Sequence, residues 1–383
     1  MSAVGAWKIV PAAKRIVVKI GSSTLTRDGQ LRPNKFTQLA QDISRLIKSG
    51  RQVVVVSSGA IAVGAHRLGW KHAGKSVREK QAAAAVGQIG LVELYQRRFE
   101  KRGLHVGQVL LTRAGLEDHE RFLNARRTML ELLRLGVVPI VNEKETIATE
   151  EIRFGDNDNL AATIVNAVDA DLLVILTDVE GLYEHAPVSG EPLPELIRTV
   201  QKISPAIRKA ASGAGTRFGS GGMITKLEAV TNAARAGATT ILCNGEVAGV
   251  LEKLINGEQH GTLFAPGEKL RSKKHWLAFT AKTRGRIVID DGAVRALVDR
   301  GRSLLPAGIL RVEGDFKLGD SVCCVDEKGR EIARGLATYS SQDIKQLAGR
   351  PTKEIARVLG YTNGDEVIHR DDLVLVRDQA DVV

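Results

Sequence analysis

Lys19-Ile20-Gly21-Ser22-Ser23 sets one cation at the end of an apolar run and follows it with a glycine and two hydroxyls. Backbone N–H groups exposed in such a turn, beside an ammonium group, suit a phosphate oxygen. A surface lysine before a turn reads equally well from this fragment alone, and there is no Walker A loop. Gly219-Ser220-Gly221-Gly222-Met223-Ile224-Thr225-Lys226 adds a glycine-rich loop running straight into an apolar-periodic segment. Glycines let amides approach phosphates, a helix N-terminus adds positive potential, and Lys226 adds a full charge. Gly155-Asp156-Asn157-Asp158-Asn159 puts two carboxylates and two amides into five residues, more than a helix cap requires. Leu160 and Ala161 stand where an EF-hand needs a ligand and a glycine, which excludes that site. Thr177-Asp178 closes another apolar run, and Ser57-Ser58-Gly59 closes Val53–Val56; taken alone, the latter fragment reads better as a serine cap on the next helix than as an anion site. Two lysines, an acidic cluster and a glycine loop together describe a phosphoryl-transfer site.

The elements that must hold these residues alternate. Ile16–Ile20, Val53–Ser57, His105–Leu111, Val137–Val141, Leu172–Thr177 and Thr239–Cys243 read as strands. Phe36, Leu39, Ala40, Ile43, Leu46 and Ile47 recur at helical spacing, with Gly50 where the helix should stop. Further helices are expected from Ile61 to about Leu68, Lys80 to Lys101, Phe122–Leu135, Leu160–Val168 and Ile224–Ala236. Strands separated by helices of this length mean right-handed βαβ units and a mostly parallel sheet sandwiched by helices. Ligands of such sheets sit at the carboxyl ends of the strands, where every fragment above falls.

The 383 residues carry 55 basic and 44 acidic side chains, a formal charge of +11, which invites either a nucleic acid or an anionic small substrate. Aromatic residues make up only 4%, which argues against a base-stacking surface. Cys243, Cys323 and Cys324 form no metal or disulfide pattern, and a free, odd set suits a reducing cytoplasm. No uncharged apolar run is long enough to cross a membrane, and Pro11 interrupts any leader-like segment.

Residues 267–283 lack a clear period, are rich in lysine and read as a basic linker. Beyond it, Arg286–Ile289, Gly308–Val312, Ser321–Val325 and Glu331–Leu336 are short strands between turn signals, a small β-rich module over 284–383. That module holds 16 basic and 17 acidic residues, net −1, whereas residues 1–283 hold 39 and 27, net +12. A module that grips a phosphate backbone should be basic, so an interaction or regulatory role is expected of it and nucleic-acid binding is not.

KIGSS, VVSSGAIAVG, KQAAAAVGQ, LLTR, FLNAR, GDNDNLAA, LTDVEGLY and GSGGMITK resemble, in order and spacing, the bacterial glutamate 5-kinases of the amino acid kinase superfamily. The C-terminal part, with Ser303-Leu304-Leu305-Pro306-Ala307-Gly308, looks like a PUA domain. The resemblance implies a catalytic domain over 1–266 and a PUA-like domain over 284–383. It implies phosphoryl transfer from ATP, with Mg²⁺, to the γ-carboxylate of L-glutamate, the first step of proline biosynthesis. Aspartate or N-acetylglutamate as acceptor, or an RNA-binding role through the PUA-like domain, are the alternatives. By motif, Lys19 and Lys226 would flank the transferring group and Asp158 would hold them. Thr177, Asp178, Ser220, Gly221, Gly222, Met223, Ile224, Thr225 and Lys226 would bind ATP, together with Lys19. Ser58, Glu145 and Asn157 would bind glutamate, Glu145 standing where the family usually has an aspartate one methylene shorter. No protein metal ligands are expected. Feedback inhibition by proline and a homodimer or homotetramer follow from the family alone, whereas a cytoplasmic location without membrane contact is expected from the free cysteines and the lack of a long apolar run.

Overall fold

Unbroken apolar runs such as Ile16–Val18 and Val53–Val56 have no polar alternation, so they form strands covered on both faces. The computed structural model describes residues 6–27, 30–144, 157–188, 190–211, 222–267 and 272–376. Its first strands are β1 (Arg15–Ile20), a two-residue pair β2 (Thr26–Arg27) and β3 (Gln30–Leu31), and β4 (Gln52–Ser57). Next come β5 (Val106–Leu111), β6 (Val138–Glu143) and β7 (Leu172–Thr177), then β8 (Thr199–Val200), β9 (Thr239–Asn244) and β10 (Thr262–Phe264). Among the described residues eight of these form one sheet in the order β5-β6-β4-β1-β7-β9-β10-β8. The run from β5 to β9 is parallel; β10 lies antiparallel to β9, with β8 parallel to β10 at the edge. The expected mostly parallel sheet is therefore present, and its reversed edge comes from strands of two and three residues, too short to announce themselves in sequence.

The chain leaves β1 towards β4, β5 and β6, and then returns to the other side of β1 as β7. This reversal opens a crevice at the carboxyl ends of β1 and β7. Register fixes what stands there: Lys19 lies between Val56 and Ile175, and Ile20 between Ser57 and Leu176. Alternation along β1 sends Val18 and Ile20 to one face and Lys19 to the other. Phe36, Leu39 and Ile43 of the helix Pro33–Lys48 and Leu91, Tyr95 and Phe99 of the helix Val77–Glu100 pack with Val18, Ile20 and Val55. The helix Asn157–Val168 touches β1, β4 and β7 and carries Asp158 in its first turn.

Two helices cross closely above the end of β4. Ala60–Arg67 and Val77–Glu100 meet where a Cβ on Gly64 would stand 1.7 Å from the Ala83 carbonyl oxygen, and one on Gly87 1.8 Å from that of Ala60. Only glycine fits at either position. The small residues of the KQAAAAVGQ segment thus serve backbone contact between helices.

By its internal contacts the chain divides into Met1–Arg113 with Asn124–Lys269, and Ala114–Leu123 with Leu270–Val383. In the second unit, β11 (Gly285–Ile289), β12 (Ile309–Gly314), β13 (Ser321–Val325), β14 (Glu331–Leu336) and β15 (Leu373–Leu375) form a mixed sheet ordered β12-β11-β13-β14-β15. Its core includes Ile287, Ile289, Phe316, Val322, Cys324, Tyr339 and Ile344. Residues 267–283, expected as a linker, instead include a helix, Ser272–Phe279, whose Trp276, Leu277 and Ala278 are buried. Trp276 Nε1 donates to the Leu116 carbonyl at 2.7 Å, and its ring lies beside His119 and Phe122. Four consecutive apolar residues covered by a segment some 150 positions away leave no helical period to read, which is why the sequence suggested a linker. Cys243, expected in the core, is buried, and all three cysteines are free. No described helix is long and apolar enough to cross a membrane.

Candidate active site

Asp158 is the centre of the charged part of the crevice. Its Oδ1 lies 2.7 Å from Lys19 Nζ, and its Oδ2 accepts from Lys226 Nζ at 3.0 Å. The three residues are 1%, 5% and 8% exposed, so they interact with little screening by water. Each comes from a different element: Lys19 from β1, Asp158 from the first turn of one helix, and Lys226 from the first turn of the helix Met223–Arg235. Burial alone would push the Asp158 carboxyl up; the two ammonium groups outweigh that and hold it below the ordinary aspartate value. It therefore stays ionised at neutral pH and acts as a brace between lysines, not as a proton acceptor. Among these three groups two positive charges face one negative charge, an arrangement that favours an incoming anion. Lys19 Nζ also curls back over its own turn, 3.7 Å from where a Cβ on Gly21 would stand.

Beside this cluster, Thr177 ends β7, nearly buried, and its hydroxyl donates to Asp178 Oδ1 at 3.0 Å. The Gly245 amide donates to the Thr177 carbonyl at 2.8 Å, tying β9 to this end of β7. Gly222 is the extended residue before the helix Met223–Arg235, and it contributes no side-chain cap to the first-turn amides. Thr225 Oγ1 donates back to the Gly222 carbonyl at 2.8 Å, Met223 is buried, and Ile224 is exposed at the helix start. Ser220 and Gly221 lie outside the described residues.

Among the described residues, the contacts on the other side of the crevice are hydrogen bonds between amides and hydroxyls. Gly59 takes φ +109, which turns the chain sharply after Ser58 and starts the helix Ala60–Arg67. Asn157 Nδ2 reaches Ser58 Oγ at 3.0 Å, Asn142 Oδ1 at 3.1 Å and the Ser57 carbonyl at 3.4 Å. Asn142 Nδ2 in turn donates to Gln88 Oε1 at 2.8 Å. Ser57 Oγ donates to the Ser58 carbonyl at 2.9 Å, so the Tyr95 hydroxyl, also 2.9 Å away, is the donor to Ser57. Expected residues Ser58 and Asn157 are thus in contact, while Glu145 lies outside the described residues. Asn142, Gln88 and Tyr95 were not singled out as site residues, and Ser57 entered only as part of the Ser57-Ser58-Gly59 strand end. Asn142 lies near the end of β6 and Gln88 closes KQAAAAVGQ, but only the sheet order brings them together.

An open α/β sheet with two lysines on one carboxylate at its reversal point, next to a cluster of amides and hydroxyls, has the charge and placement that suit a phosphoryl-transferring enzyme. Residues 14–244 match the amino acid kinase family, and residues 285–359 match the PUA domain. The glutamate 5-kinase of Cupriavidus taiwanensis is 49% identical over 370 residues, covering 96% of this chain and 99% of that one. Those of Methylobacillus flagellatus, over 366 residues, and Laribacter hongkongensis, over 368, are also 49% identical and covered to 98% and 99%. The chain belongs to the amino acid kinase family and, within it, to the glutamate 5-kinases. It is an ATP-dependent kinase.

Proposed function

We propose that this chain transfers the γ-phosphoryl group of ATP to the γ-carboxylate of L-glutamate, giving L-glutamyl 5-phosphate and ADP, the first step of proline biosynthesis. The observation that carries the reading is the pair of buried lysines on Asp158. A γ-carboxyl group has a pKa of about 4.3, so at neutral pH it is already a nucleophile and no general base is needed. One carboxylate oxygen bonds to the γ-phosphorus while the bond from that phosphorus to the β,γ-bridging oxygen breaks, and the electron pair leaves with ADP. The obstacle is repulsion between a carboxylate and a polyphosphate, and Lys19 and Lys226 offset it by alignment and charge.

Asp158 positions the two lysines. Thr177, Asp178 and the segment Ser220–Lys226 bind the nucleotide, and Ser58, Asn157 and Glu145 bind glutamate, with Glu145 on the ammonium group. Mg²⁺ enters as part of the nucleotide substrate. Among the described residues no group of three or more His, Cys, Asp or Glu could cage a metal ion, and Asp158 is committed to its lysines. That donor set fits a cation held mainly by phosphates, as Mg²⁺ commonly is. Residues 1–266 are assigned the catalysis and 284–383, net −1, an interaction or regulatory role. A cytoplasmic homodimer or homotetramer inhibited by proline completes the proposal.

The test is ADP release and hydroxylamine-trapped acyl phosphate with ATP, Mg²⁺ and glutamate, repeated with aspartate, with N-acetylglutamate and with added proline. Stoichiometric hydroxamate with glutamate alone, falling when proline is added, is expected. Preference for another acceptor overturns the assignment.

A further inference from the structure

The neutral side of the crevice has a direction. The Ser57 carbonyl can only accept, so the Asn157 amide must present its nitrogen there; turned over, it would set two acceptor oxygens against each other at 3.4 Å. Asn157 Nδ2 then faces Asn142 Oδ1, which leaves Asn142 Nδ2 to donate to Gln88 and obliges Gln88 to offer Oε1. The polarity set at Ser57 thus passes through three amides and emerges as one surplus donor, Gln88 Nε2. That nitrogen is shielded from water and has no hydrogen-bond partner among the described residues. A shielded donor without an acceptor is costly, and a ligand oxygen placed there removes the cost.

Gln88 cannot easily move to relieve it. Gly87, its neighbour, presses against the Ala60 carbonyl, which holds this turn of the helix Val77–Glu100 beside the turn that carries Ser58. The relay begins at Asn157, next in sequence to the lysine-bound Asp158, and runs from there through Asn142 to Gln88. Gln88 is therefore the end remote from the reacting carboxylate. An N–H donor there suits an anionic oxygen and repels an ammonium group. We propose that Gln88 Nε2 donates to the α-carboxylate of the acceptor amino acid, making Gln88 a specificity-determining residue. The assignment rests on glutamate being the acceptor.

Gln88→Glu tests it, because the new side chain keeps an oxygen for Asn142 Nδ2 and replaces the donor by a second acceptor. The expected result is a glutamate KM raised about tenfold or more, with the ATP KM within about twofold of the parent. Part of the glutamate KM returns as the pH is lowered to about 5, because a protonated carboxyl regains an O–H donor. A purely structural relay residue would give no such recovery. If Gln88→Glu does not fold, Gln88→Met, which lacks the donor at any pH, is measured in the same way and is expected to raise the glutamate KM at every pH. A parental glutamate KM in whichever folded variant is measured overturns the proposal. Glutamate turnover by the unaltered chain tests the underlying reading separately, since the variant-to-parent ratio reports on Gln88 alone.

Discussion

Lys19, Asp158 and Lys226 hold their side of the crevice by charge, whereas Ser58, Asn157, Asn142 and Gln88 hold theirs by neutral hydrogen bonds. The two sides meet in two consecutive residues, Asn157 and Asp158, at the start of one helix. On the charged side one carboxylate serves two cations, and removing the shared ion of a buried cluster leaves charge uncompensated, which costs about 3–5 kcal/mol. In the neutral side a lost hydrogen bond costs about 1–3 kcal/mol where the partner stays buried. The charged side should therefore decide whether the chain folds and turns over, and the neutral side which acceptor it binds and how tightly.

The largest break in this contrast is expected from Asp158→Asn, which leaves two buried ammonium groups without their shared carboxylate. We expect it to lose about 3–5 kcal/mol of stability in denaturant unfolding at pH 7, together with most activity. Because the folded pKa of Asp158 is depressed, its stabilising contribution is fully present above its unfolded value of about 4 and is lost as pH falls through the folded value. The Tm gap between parent and variant should therefore be constant from pH 8 to about 5 and narrow in more acidic buffer. A gap that widens on acidification contradicts the ionised brace.

Gly87→Ala probes the neutral side through its backbone. The added methyl meets the Ala60 carbonyl, so the helix must shift and carry Gln88 with it. The glutamate KM should rise roughly tenfold while the ATP KM barely moves, on the scale of one lost hydrogen bond in a buried site. Equal loss for both substrates in steady-state assays would show that the two sides are not separable. Tyr95→Phe is the gentlest probe, removing one buried hydrogen bond to Ser57 for about 1 kcal/mol of stability and a glutamate KM change of a few fold. A larger effect on kcat than on KM would place Ser57 with the charged side.

Most of the parallel sheet was legible because its strands are buried runs and its first long helix keeps a clean apolar period ended by Gly50. Lys19, Asp158 and Lys226 were legible too, Lys19 near a strand end and the other two in the first turns of their helices. The amide relay was not, since Gln88, Asn142 and Asn157 lie 54 and 15 positions apart and adjoin only through the order β6-β4-β1. The helix Ser272–Phe279 was missed for a related reason: residues distant in sequence cover its apolar run, and an all-apolar segment carries no period.

The most direct test of the charged side is kcat at saturating ATP and glutamate for Lys226→Ala, followed by ADP release. The geometry predicts a fall of about a hundredfold, as for other lost contacts to transition-state charge, with the glutamate KM within a few fold of the parent. A kcat equal to the parent's would show that Lys226 does not stabilise the transferring phosphoryl group and would contradict the account.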